Sequence, residues 1–175
     1  MTARADAPTL SLNEWAVLGV LVDGPRHGYD IAAELAPGTP IGDAWRLSRQ
    51  LVYRALDRLT AIGYAEERRS EPGDAGPPRV VYGATRQGRA ALRRWLTTPV
   101  DHLRDVRSGL LLKLLLHDRL GLDRTALLVA QREAFNPVFL RHAAPPDADD
   151  LVGMWRHHSA AAVEAFLAVL EPHTG

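Results

Sequence analysis

Ser48, Arg49, Gln50, Tyr53 and Arg54 stand within two turns of one another if the segment is a helix, and together with Asp57 they fall on the side opposite Val52, Ala55, Leu56, Leu59 and Ile62. The chemistry of that set is recognition rather than catalysis. An arginine fork can pair with guanine and a glutamine amide with adenine, each bidentate contact worth about 1–3 kcal/mol of discrimination. Ser48 can cap the helix start, where free backbone N–H groups and a partial positive charge suit a phosphate. The residue types leave open which side chain meets a base edge and which meets the backbone.

Such a rod needs a frame, and the preceding residues supply one. Ser11 and Glu14 have capping-box spacing, and Leu10 and Trp15 stand at staple positions, so a first helix is predicted from Leu12 with Trp15, Leu18, Gly19 and Val22 inward. Asp23-Gly24-Pro25 ends it. A second short helix is predicted from Gly28 or Tyr29 to Ala36, with Ile31, Ala32 and Leu35 inward; Pro37-Gly38-Thr39-Pro40 stops it and opens a loop. The third helix follows Ser48, with Leu47 and Val52 as a second staple and Gly63 as a left-handed C-terminal cap.

Beyond Gly63 the period changes to that of a hairpin. Tyr64 to Ser70 reads as a strand, Glu71 to Pro78 as a loop and Arg79 to Ala84 as the returning strand. Thr85 can cap a helix from Arg86 to Leu96, with Leu92, Trp95 and Leu96 inward and Arg86, Arg89, Arg93 and Arg94 in water, until Pro99 closes the segment. Three helices and a two-stranded hairpin describe a winged helix-turn-helix, in which the third helix enters the major groove and the hairpin flanks the backbone. Arg79 near the wing tip and Arg86 are the candidate phosphate contacts outside the third helix.

Charge agrees with that placement. The chain has 175 residues and no net charge, but the segments differ: residues 1–45 hold two arginines against six acids, residues 46–100 eleven arginines against five acids, and residues 101–175 eight basic against ten acidic side chains. The positive charge sits on the third helix, the wing and the helix after it. Twenty of the 21 basic residues are arginine, a bias that suits fork-shaped contacts and that genome composition would produce as well.

From Asp101 onward the pattern is helical: about Asp105 to Leu120, Asp123 to His142 and Asp147 to Leu170, with Asn136-Pro137 expected to kink or interrupt the middle helix. The run from Leu110 to Leu116, including Leu111 and Leu115, is apolar on nearly every side and must be buried in a core or against a partner. In the last helix Leu151, Trp155, His158, Ala162, Ala165 and Val169 form a narrow stripe of helix-packing type. Two domains are therefore predicted, 1–99 for DNA binding and 100–175 for helical dimerisation, in a mostly α fold.

Several fragments, in this order and spacing, resemble the PadR-like transcriptional regulators: Leu10-Ser11 with Glu14, the stretch Gly24-Pro25-Arg26-His27-Gly28-Tyr29-Asp30-Ile31, then Ser48, Tyr53, Ala55-Leu56, Arg58-Leu59 and Gly63, and Tyr82 to Gly88 leading into Trp95-Leu96. The tail beyond Pro99, with Leu112-Lys113-Leu114, looks like the larger subgroup of that family. The resemblance implies a homodimer that binds a palindromic operator, usually as a repressor, and leaves it when a small effector binds. Where the family often has glycine and proline in the recognition helix, this chain has Gln50 and Arg54, which bears on the operator sequence rather than on the fold.

Other readings are weaker. His27 and Asp30 could suggest acid–base work, but no serine or cysteine nucleophile pattern accompanies them and a turn before a helix suffices. His157 and His158 point ~100° apart on a helix and lack matching ligands, so no metal and no cofactor is expected. Trp15, Trp95, Trp155, Phe135, Phe139 and Phe166 are expected as core and interface anchors. With no cysteine, disulfides and thiolate zinc sites are excluded. Met1 to Pro8 has no apolar segment and Lys113 breaks the leucine-rich run, so neither a signal peptide nor a membrane span is expected, and the cytoplasm is the expected compartment. The rival from another class is a winged-helix protein-interaction module without DNA binding; a small-molecule-processing enzyme is a distant third.

Overall fold

The structure is a computed structural model that describes residues 8–71 and 79–170. The chain divides into two compact units, Met1–Arg94 and Trp95–Gly175.

In the first unit, α1 (Leu12–Asp23) starts with the expected capping box: the Ser11 hydroxyl accepts from the Glu14 N–H at 3.4 Å and the Glu14 carboxylate from the Ser11 N–H at 2.6 Å. Every residue from Ala16 to Leu21 is buried, because α1 packs against α2, α4 and β3, whose ranges follow. Trp15 and Val22, expected inward, are only half-buried. The residues after Gly24-Pro25 were expected as a plain turn. They form instead a short strand β1 (Arg26–His27), antiparallel to β3 with Arg26 opposite Tyr82 and His27 opposite Val81. The Arg26 guanidinium holds this junction, donating to Asp23 and to Glu34 at 2.5 Å each.

α2 (Gly28–Glu34) buries Ile31 and leads to a one-turn helix α3 (Pro40–Ala44) in what was expected to be loop. The Thr39 hydroxyl accepts from the Gly42 N–H at 3.0 Å and Pro40 occupies the first helical position, where its missing donor costs nothing. α4 (Arg49–Ala61) buries Val52, Ala55, Leu56 and Leu59. Gly63 follows at φ +73°, the left-handed conformation expected of it. β2 (Ala65–Glu71) and β3 (Arg79–Ala84) pair antiparallel, with the register broken between Glu67 and Arg69, and the sheet order is β1-β3-β2. The predicted wing thus gains a third short strand; its tip, residues 72–78, lies outside the described residues.

α5 (Arg86–Thr97) is capped by Thr85, whose hydroxyl accepts from the Gly88 N–H at 3.1 Å. Arg89 does not remain in water as expected. It is half-buried and donates to the Val22 carbonyl at 2.7 Å, where a cation complements the C-terminal carbonyls of α1. The architecture is a mostly α winged helix-turn-helix followed by C-terminal helices.

The second unit opens with a 3-10 turn (Leu103–Asp105) and a π-helical turn (Val106–Leu110) where a continuous helix was expected, then α6 (Leu111–Leu120), α7 (Thr125–Arg141) and α8 (Leu151–Leu170). α7 runs on through Pro137 to Arg141, so the proline does not interrupt it. Leu110, Leu114, Leu127, Phe135, Phe139 and Leu167 make the centre of its core, and the two phenylalanine rings meet edge-on at 5.9 Å.

Among the described residues three polar side chains are buried there, and each has a backbone partner. The Gln131 amide accepts from the Val100 N–H at 2.7 Å and donates to the Val100 carbonyl at 3.0 Å. His117 donates through Nδ1 to the Lys113 carbonyl at 2.8 Å, which places its proton on that nitrogen. The Lys113 ammonium donates to the Thr98 carbonyl and lies 4.6 Å from the centre of the Trp95 ring. Burial lowers the Lys113 amine from 10.5 to about 8, with Asp101 pulling weakly the other way.

Because its folded value is the lower one, below about pH 8 both folded and unfolded chains carry this proton, and the cost of burying the charge is present in full. Between about 8 and 10.5 only the unfolded chain carries it. The stability of the natural chain relative to Lys113→Met is therefore expected to rise through that window by up to about 3 kcal/mol. Urea unfolding of both proteins across that range measures it, and parallel pH profiles would show that Lys113 titrates normally when folded.

Candidate nucleic-acid interface

α4 presents its polar side because its apolar side is consumed by the core of the first unit. Arg49, Gln50, Tyr53, Arg54, Asp57 and Arg58 are all exposed, while Val52, Ala55, Leu56 and Leu59 are buried. The Ser48 hydroxyl accepts from the Leu51 N–H at 3.4 Å, so it caps the helix as the sequence predicts. Four of the predicted residues thus share one exposed helix side and Ser48 starts that helix. Arg79 stands at the first residue of β3 and Arg86 at the first of α5, both exposed; no described contact joins either to the side chains of α4.

Tyr53 is not a tyrosine left idle on a polar face. A Cβ placed on Gly28 would meet Cε1, Cζ and the hydroxyl of Tyr53 at 2.8 to 3.0 Å, so the ring lies close over the first residue of α2 and would have to shift for a larger residue there. Beyond that ring is Arg49, whose guanidinium carbon is 6.0 Å from the Tyr53 centroid and 5.3 Å from that of Tyr29. Both distances are within the range of a cation–π contact. Tyr29 is 61% exposed and was not among the predicted site residues. Its signal was its place on the outward side of α2, given that Ile31 points in.

Tyr82 of β3 completes the surroundings. Burial pushes its hydroxyl above the usual range, and the charges of Glu67 and Asp57, with Tyr53, push the same way. The neighbouring histidine is engaged too: His27 Nδ1 is 3.4 Å from the Val80 carbonyl. That contact ties the motif to the wing.

The residues predicted for dimerisation separate into two groups. Leu151, Trp155, His158, Ala162 and Val169 all lie on the exposed side of α8, turned away from the core that takes Ala160 and Leu167. Leu111 and Leu115 are half-buried on α6. Among the aromatic anchors, Phe135 and Phe139 are core, whereas Trp155 is 73% and Phe166 36% exposed. His157 Nδ1 is 2.7 Å from the His142 carbonyl.

Residues 17–94 match the transcriptional regulator PadR-like family, a span that begins in α1, takes in α4 and the wing strands, and ends in α5. The chain carries a PadR-like domain. The matched family is one of transcriptional regulators. No curated protein matches the chain. Similar solved structures include Bacillus subtilis PadR in complex with operator DNA, at 19% identity and TM-score 0.48 over 90% of this chain and 96% of that one. Another is smu.1604c from Streptococcus mutans UA159, at 15% identity and TM-score 0.45 over 90% and 96%. A third is Bacillus subtilis PadR in complex with p-coumaric acid, at 19% identity and TM-score 0.42 over 91% and 93%. Among the described residues no helix is long and apolar enough to cross a membrane.

Ser48 offers a test of this local geometry that needs no DNA. Ser48→Ala removes the cap of the PadR-like domain's α4 and should lower stability by about 0.5–1 kcal/mol, while Ser48→Asp retains it. Urea midpoints read the difference; an unchanged midpoint for the alanine variant would mean that the hydroxyl does not hold the helix start.

Proposed function

We propose that the chain is a homodimeric repressor that binds a palindromic operator through α4 and is released from it by a small effector. The observation that carries the DNA-binding part is the exposed side of α4 in a PadR-like domain: Arg49, Gln50 and Arg54 make no ion pair among the described residues, so their donors remain available to a ligand. Arg79 and Arg86 add cations on the wing and on α5, where phosphates flank a major-groove helix. Domain roles follow: residues 1–99 bind DNA and residues 100–175 join the protomers, in the cytoplasm.

The support for a dimer is the outer side of α8. Leu151, Trp155 and Val169 are 75%, 73% and 76% exposed, a row of large apolar side chains that its own unit leaves uncovered. A two-fold pair of such helices is self-complementary, and its symmetry spaces two copies of α4 for half-sites about one helical turn, ~34–36 Å, apart. Repression and effector release rest on likeness to the family alone, and no residue is assigned to the effector.

Binding of the full chain to a matched duplex should weaken steeply between ~50 and ~200 mM salt, as phosphate contacts release counterions. Salt-independent binding, or none, would favour the protein-interaction reading of the winged fold. Trp155→Asp should give monomers that bind DNA poorly, whereas an unchanged dimer mass in sedimentation would take Trp155 out of the interface.

A further inference from the structure

Arg49 is held in a way that a simple phosphate contact would not require. A guanidinium has two faces and an edge: the faces stack on aromatic rings, and the edge carries five N–H donors. Here Tyr29 of α2 and Tyr53 of α4 both bring a ring within cation–π range, at 5.3 and 6.0 Å. The Tyr53 ring itself lies close over Gly28. Among the described residues no carboxylate or carbonyl takes up the edge of Arg49, and the residue is exposed. Two rings neighbour the guanidinium, and its donors have no protein acceptor among the described residues.

A free arginine gives up rotamer freedom when it is immobilised. One already leaning on two rings has given up much of it before any ligand arrives. That preparation matters little for a phosphate, which tolerates many approach directions. It matters for guanine, whose N7 and O6 must be met by a fork in one orientation. Arg49 is also the first residue of α4, at the end of a recognition helix from which base edges are reached.

We infer that Arg49 reads a guanine in each half-site and that Tyr29 and Tyr53 are positioning residues for its guanidinium, so that part of the sequence specificity resides in α2, outside the reading helix. This deepens the DNA-binding reading above and rests on it.

Repeated selection from random duplexes by the full chain tests both and separates them. The natural chain should enrich a two-fold symmetric set with a fixed G·C pair in each half, and replacing that pair should cost roughly 5- to 150-fold in affinity. Arg49→Lys keeps the charge and loses the fork, so it should bind the enriched site while tolerating any pair at that position. Tyr29→Leu should blunt the preference for guanine several-fold, and Tyr29→Phe, which retains the ring, should restore it. Tyr29 is exposed, so neither variant disturbs the core; thermal melting checks this.

If Arg49→Lys weakens every duplex equally and retains the guanine preference, Arg49 is a phosphate contact and the inference fails. If Tyr29→Leu selects as the natural chain does, the positioning role of Tyr29 fails. A natural chain that enriches no sequence overturns the DNA-reading assignment as well, which neither of the other results does.

Discussion

The burial of one side of α4 is the constraint from which the rest of the first unit follows. Val52, Ala55, Leu56 and Leu59 recur at helical period and are buried where α4 packs on α1 and α2. A helix with one side sealed in a core has no freedom to rotate, so the opposite side must face water along its whole length. Ser48 at its start and Gly63 after its end fix where that side begins and stops. The direction in which Arg49, Gln50 and Arg54 point is therefore decided by aliphatic residues that touch no ligand.

A second, finer constraint ties α2 to α4. Gly28 is buried and any side chain there would drive into the Tyr53 ring. The junction before it is braced by Arg26 between Asp23 and Glu34, and β1 pins Arg26 and His27 to β3. One short stretch, Arg26 to Tyr29, thereby connects the wing strand to the start of the exposed helix. Its composition suits this work: a half-buried cation with two carboxylates, a strand-forming pair, and a glycine at the point of closest approach.

Which features could be read from the sequence depended on length and on partner distance. Helices with several turns and a cap, such as α1 from Ser11 and α4 from Ser48, announce themselves through periodicity and local hydrogen-bond chemistry. β1 has two residues and α3 five, too few for any period to register, and both depend on partners remote in sequence. The half-buried place of Arg89 is illegible for a similar reason: nothing near it in the chain indicates that the Val22 carbonyl is in reach. The wing was legible as alternation between turn signals, and its third strand was not. In the candidate site, Arg49, Gln50 and Arg54 were legible from their helical side, but the ring pair about Arg49 was not, since Tyr29 belongs to another element. Tyr53 was legible from its helical side, but its closeness to Gly28 was not, because a glycine leaves no apolar signature.

The second unit shows two opposite treatments of chemical character. Lys113 and Gln131 are polar side chains brought fully inside, each spent on the backbone between Thr98 and Val100, the stretch that follows α5. A buried charge is tolerated only with such partners, and burial holds the Lys113 amine below its ordinary value despite them. On α8 the reverse holds: Leu151, Trp155 and Val169 are apolar and left outside. Leaving three such side chains in water forgoes the burial that elsewhere stabilises the fold, about 1.5–3 kcal/mol for a large aliphatic side chain. The polar groups placed inside fix a connecting segment, and the apolar groups left outside along one side of α8 are the surface that the homodimer proposed above would bury.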